Sequence, residues 1–309
     1  MLKVIKPGLF STIQDAGRTG YQQYGVIVSG AMDSVAFRIG NALLKQHNRA
    51  AIEMTLVGGI FEFQIPTAIV LAGGQMQATV NEVPVPMYKV ISIEQGDILK
   101  CGTIHNGARS YLCIAGGFSV EEILGSRSTY IKAAFGGFHG RTLQANDSIP
   151  YTGTASPYHT YQVISDRFYE QKPIRLLKGT EWEHFSHLMQ QRFIEQHYMI
   201  SLEADRMGYR LEGQTVISLE KPFNLLSEAV TFGTVQLPPS GQPILLMADR
   251  QTTGGYPKIA QIITADLHKV AQLGPKQPLH FELVTIEQAE QAYFQLEQRL
   301  RLLETLLRN

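Results

Sequence analysis

The chain has 309 residues, room for one large or two ordinary domains, and 44% hydrophobic with 17% charged residues is a globular balance that argues against extended disorder. Lys plus Arg and Asp plus Glu stand at 27 each, so no net field draws the protein to nucleic acid or to an anionic membrane. No run of about 18 apolar residues is present and Met1 to Gly8 lacks the pattern of an export signal, so the expected compartment is the cytoplasm.

Short apolar segments punctuated by glycine and proline dominate the chain. Strands are expected at 2–5, 60–65, 68–72, 90–93, 98–100, 111–115, 216–219, 231–237, 259–264 and 280–284. Alternation in Phe61-Glu62-Phe63-Gln64-Ile65 places Phe61, Phe63 and Ile65 on one face. Such strands lie too close together to be joined by helices into a parallel sheet. Cys101 and Cys113 flank Asn106-Gly107, which reads as a hairpin turn, and without metal spacing they read as free thiols packed as small hydrophobes. Three helices are expected. Asp33 caps one that carries Val35, Ile39, Ala42 and Leu43, and Thr180 with Glu183 makes a capping-box pattern before Phe185, Leu188 and Met189. The third ends the chain with Ala289, Tyr293, Leu296, Leu300, Leu303 and Leu307 on one stripe.

An internal repeat emerges when the halves are superimposed. Asp97-Ile98-Leu99-Lys100 matches Asp266-Leu267-His268-Lys269, Glu53 falls opposite Glu228, and Lys6-Pro7-Gly8 opens the first half as Lys178-Gly179-Thr180 opens the second. The expected fold is therefore mainly β with a few helices, in two related β-barrels over residues 1–172 and 173–309, with 151–173 as the connection.

The densest polar cluster is Asp249-Arg250-Gln251-Thr252-Thr253-Gly254-Gly255-Tyr256-Pro257, delivered by the apolar run Pro243 to Met247. Asp249 is the first catalytic candidate, with Gln251, Thr252, Thr253 and Tyr256 as substrate contacts; the bland alternative is a strand-connecting turn. Asp15 and Asp33 are further acid candidates, with Gln14, Arg18 and Ser29 beside them. Ser126-Arg127-Ser128 sets a guanidinium among hydroxyls, suited to a carboxylate or phosphate, although it is not a P-loop. Arg206 is placed either on a substrate carboxylate or on Asp205 or Glu203. Glu53 and Glu228 read as structural, and His184 and His187 lack a third ligand, so no metal is expected.

The motifs Thr12 to Arg18, Ser29 to Asp33, Leu124 to Thr129, Asp205 to Leu211 and Asp249 to Pro257, in register from about Leu2 to about Val284, resemble the family of 5-oxoprolinase C subunits, also described as biotin-dependent carboxyltransferase-like or allophanate hydrolase subunit 2-like. The resemblance implies two tandem cyclophilin-like barrels related by duplication. It further implies a protein that, with A and B subunits, opens the lactam of 5-oxoproline to L-glutamate while the complex consumes ATP. A second reading is the carboxyltransferase component of a biotin-dependent urea or amide carboxylase. The chain lacks a biotinyl-lysine motif such as Ala-Met-Lys-Met, so biotin would arrive on another protein. A third is a regulatory binding protein antagonising an inhibitor of a histidine kinase.

Overall fold

Leu2 and Val4 are buried while Lys3 and Ile5 are half-buried, and the same alternation recurs at Ile174, Leu176, Arg175 and Leu177; each segment opens one barrel-like sheet. In this computed structural model, residues 1–153, 161–164, 168–169, 173–219 and 225–308 are described. Most of the expected connection 151–173 lies outside them. Two compact units are present, one of Met1–Thr19, Ser29–Tyr169 and Gln298–Asn309, the other of Gly20–Val28 and Glu170–Glu297. Compared with a single cut after residue 172, the segment Gly20–Val28 counts with the second unit and the segment Gln298–Asn309 counts with the first.

The first unit contains β1 (Leu2–Lys6), β2 (Phe10–Gln14), α1 (Ser34–Leu43), β3 (Ala51–Thr55), β4 (Ile60–Phe63), β5 (Thr67–Val80), β6 (Val83–Val85), β7 (Ile91–Ile93), β8 (Ile98–Ile114) and β9 (Ser148–Ile149). Its sheet runs β2-β3-β8-β4-β1-β9, with β5 pairing β6, β7 and β8. Phe61 and Phe63 face its core beside Leu71, Leu99 and Leu112, whereas Ile65 lies beyond β4 and is exposed. No hairpin forms at Asn106-Gly107. β8 runs straight through, because pairing with β5 shifts register between Gly73 and Gln75 and Gly107 takes φ +106°, making the Asn-Gly pair a bulge in a long bent ribbon.

The second unit contains β10 (Ile174–Lys178), α2 (His187–Glu195), β11 (Tyr198–Ile200), β12 (Gly208–Gly213), β13 (Glu228–Ala229), β14 (Thr234–Gln236), β15 (Ile244–Leu246), β16 (Thr253–Gly254), β17 (Lys258–Ile262), α3 (Leu267–Ala271), β18 (Pro278–Leu279), β19 (Phe281–Leu283) and the start of α4 (Ile286–Arg308). Its sheet runs β18-β11-β12-β15-β14-β17-β10-β19, and β13 with β16 makes a separate two-stranded ribbon. Phe193 stacks on Phe281 with ring centroids 5.2 Å apart, and Trp182 meets Phe193 edge-on. The expected strand at 216–219 does not form; Val216 is exposed and Ile217 N donates to Gly241 O.

Helix signals fared unevenly. Asp33 caps α1 as expected, its carboxylate accepting from Ala36 N at 2.9 Å. The Thr180–Glu183 box does not form: Glu183 pairs with Lys178, a 3-10 turn occupies Trp182–His184, and α2 starts after Ser186. Asp97 and Asp266 also stand in different settings, the first in the exposed turn before β8 and the second fully buried at the head of α3. Among the described residues no helix is long and apolar enough to cross a membrane.

Candidate functional site

In the second unit, β15 delivers the expected polar loop. Asp249 and Arg206 are both buried and meet as a two-pronged ion pair, Arg206 Nε donating to Oδ2 at 2.9 Å and Nη2 to Oδ1 at 2.8 Å. Arg206 is thus paired within the protein, with Asp249 rather than Asp205 or Glu203. Asp205 instead accepts from Met207 N and Gly208 N, and Glu203 pairs with Arg210. Backbone bonds from Asp249 N to Arg206 O and Met247 N to Met207 O stitch the two segments together. Beyond this root Gln251, Thr253 and Tyr256 are exposed and Thr252 is half-buried.

Arg250 is buried as well, yet its side chain meets only carbonyls, Val230 O at 3.3 Å and Ala248 O at 3.5 Å. Burial pushes its guanidinium down to about 10, opposed by neighbouring Asp249. The loop is pinned at two further points. Gln22 Nε2 donates to both Val230 O and Thr252 O, and Lys258 on β17 reaches Glu228 Oε2 at 2.6 Å and Glu181 Oε2 at 3.5 Å. Lys258 and Glu181 are not among the expected site residues; the signal in the sequence is a lysine opening the strand Lys258-Ile259-Ala260-Gln261-Ile262.

In the first unit Asp15 is a hub. Its Oδ1 accepts from Ser126 Oγ and Ser128 Oγ, each at 2.6 Å, and from Gly17 N at 2.9 Å, while Oδ2 accepts from Arg127 N at 2.6 Å. Ser128 Oγ in turn accepts from Asp15 N. Arg18, wholly buried, donates to Ile123 O and Ser128 O and stacks over the Phe135 ring at 4.6 Å. Ser29 Oγ donates to Thr129 O, and so does Gln14 Nε2. These expected residues are brought together around one turn. Arg127 alone reaches solvent, pairing with Glu122 at 2.8 Å.

Asp33 belongs to a different set. Its second oxygen accepts from Tyr169 Oη at 2.7 Å, and its N–H donates to Tyr111 Oη, which donates to Glu53. Burial, reinforced by Asp33 and Tyr88, raises the Tyr169 phenol well above its ordinary value. Glu53 also accepts from Met32 N, the structural duty expected of it, whereas Glu228 is spent on Lys258. Among the described residues no group of three or more His, Cys, Asp or Glu side chains could hold a metal ion.

These clusters sit on a mainly β scaffold whose residues 24–283 match the carboxyltransferase domain, subdomain A and B, and the chain belongs to that family. Within it, the chain is 39% identical over 291 residues to a protein of Haemophilus influenzae named as the C subunit of 5-oxoprolinase, covering 94% of this chain and 93% of that one. It is 37% identical over 302 residues to the Escherichia coli protein of the same name, covering 96% and 97%. The crystal structure of K. lactis urea amidolyase superimposes with a TM-score of 0.87 at 27% identity; it covers 98% of this chain, but the chain spans only 20% of that enzyme.

Proposed function

We propose that the chain is the C subunit of an ATP-dependent 5-oxoprolinase, working in the cytoplasm with A and B subunits to open 5-oxoproline to L-glutamate. The observation that carries this is end-to-end likeness to two relatives of that name, each covered over more than nine-tenths of its length. The urea amidolyase match, a fifth of a larger chain, supports the second reading of carboxyl transfer to an amide. The two barrels are taken as cyclophilin-like on the same family resemblance.

A five-membered lactam is a resonance-stabilised amide, so water attacks it slowly until the carbonyl oxygen is activated; groups that orient the ring and stabilise developing charge then set the rate. On this chain the groups open to a substrate include Gln251, Thr252, Thr253 and Tyr256, with Asp249 and Arg206 fixing the root of their loop, and Arg127 in the first unit. Asp15, Asp33, Gln14, Arg18, Ser29, Ser126 and Ser128 are assigned to positioning, since each is buried and bonded within the protein. The Ser126 and Ser128 hydroxyls do not fit a triphosphate, because both turn inward to Asp15. ATP is therefore not assigned to this turn.

The purified chain, expected to be inactive alone, should restore ATP-dependent glutamate formation when mixed with its A and B partners. Robust turnover by the isolated chain would defeat the subunit reading. Bicarbonate-dependent carboxylation with a biotin carrier, in place of glutamate release, would establish the second.

A further inference from the structure

Arg250 is 7% exposed, and its hydrogen bonds are two carbonyl contacts at 3.3 and 3.5 Å, near the outer limit for such bonds. Both oxygens of Asp249 are already held by Arg206, and among the described residues no carboxylate lies within ion-pair distance of Arg250. Its Nη2 makes no protein hydrogen bond among those residues, yet is not fully enclosed. A buried guanidinium is costly unless paired, and an apolar side chain would fill the same volume without that cost. Stability alone therefore gives no reason for a cation here. The nearby Lys258 is different, since Glu228 and Glu181 already neutralise it.

We propose that Arg250 is an anion-binding residue whose open Nη2 edge takes the carboxylate of a small organic molecule, within the loop that carries Thr252 and Thr253. One under-paired guanidinium matches one negative charge, which favours a monocarboxylate over a phosphate dianion, for which further cations would be needed. The proposal deepens the oxoprolinase reading by naming the group that holds the substrate's carboxylate, and it rests on that reading for the choice of probe. Binding to Arg250 needs no turnover, so the two fail separately.

The test is thermal unfolding of the full chain at fixed chloride concentration, titrated with L-5-oxoproline, with 2-pyrrolidinone as the same lactam without the charge, and with inorganic phosphate. Wild type is expected to show a saturable rise in Tm with 5-oxoproline, little with 2-pyrrolidinone and a smaller rise with phosphate. Arg250→Gln should abolish the 5-oxoproline response. Arg250→Lys, which keeps the charge and is the safer fold, should weaken the apparent affinity at least about tenfold through loss of the planar fork. A merely structural Arg250 would lower Tm on substitution and leave the ligand response as in wild type. That result overturns the proposal, as do an equal response to the uncharged lactam, a larger response to phosphate, or none in wild type. A complex that makes no glutamate sinks the oxoprolinase reading and leaves the anion response standing.

Discussion

Asp249 illustrates how a residue chosen for chemistry turns out to carry structure as well. Its carboxylate is buried against Arg206 with both oxygens engaged, so Asp249→Asn keeps size but leaves a buried guanidinium facing a neutral amide. Breaking one side of such a pair costs about 3 kcal/mol or more. Urea unfolding of the single variants Asp249→Asn and Arg206→Met should show losses of that order. The double variant should lose less than their sum, by more than about 1 kcal/mol. An Asp249→Asn protein within about 0.5 kcal/mol of wild type would show that the pair does not hold the loop, and any activity loss would then belong to the carboxylate itself. Asp15 is expected to behave similarly. Asp15→Ala strips the acceptor from four donors at once and should cost several kcal/mol, since each buried donor left unpaired costs about 1–3 kcal/mol; melting of the purified variant checks it.

At the scale of elements, Asp266 shows a buried acid joining a strand to a helix. It accepts from Arg175 N, Nε and Nη2 on β10 and from Lys269 on α3. Burial alone would raise its pKa, but these bonds outweigh burial and hold the carboxyl below the usual 3.8. A lowered folded-state pKa contributes stability that is present above the unfolded value and lost as pH falls through the folded one. Asp266→Asn should therefore be less stable than wild type near pH 6, with the gap closing below about pH 4. A gap unchanged from pH 6 to pH 3 would refute this. The same residue marks where sequence reading stopped. Its match to Asp97 rested on the spacing of apolar side chains, which repeats in any β-rich chain, and spacing carries no information about a carboxylate's partners. Signals with a local mechanism fared better: the Asp33 cap needs only Ala36 N three residues on, and the strand expected at 2–5 forms as β1. The Thr180–Glu183 box failed because Lys178 captures Glu183 and a 3-10 turn replaces the first helical turn. Arg206–Asp249 and Asp15–Ser126–Ser128 were legible as residues and not as contacts. Partners 43 and 111 or more positions apart are set by sheet registration, which motif spacing does not encode.

For the molecule as a whole, the two thiols report on cooperativity within the first unit. Cys101 and Cys113 both lie on β8, free and buried, as their spacing implied. Burial pushes each up to about 12, so at pH 8 almost no thiolate exists in the folded state. Their neighbours leave little room for local opening: a Cβ on Gly40 of α1 would stand 2.6 Å from Cys113 Sγ, and one on Gly58 would stand 2.3 Å from Cys101 Cβ. Because β8 pairs with β3, β4 and β5, exposing either sulfur requires separating several strands at once. Labelling with a disulfide reagent at pH 8 should thus be negligible in native buffer. Both thiols should become reactive together through the denaturant transition, with a midpoint matching that of the far-ultraviolet signal. Fast labelling of one cysteine well before that midpoint would show that β8 opens locally, and would place its Asn106-Gly107 bulge at the weak point of the sheet.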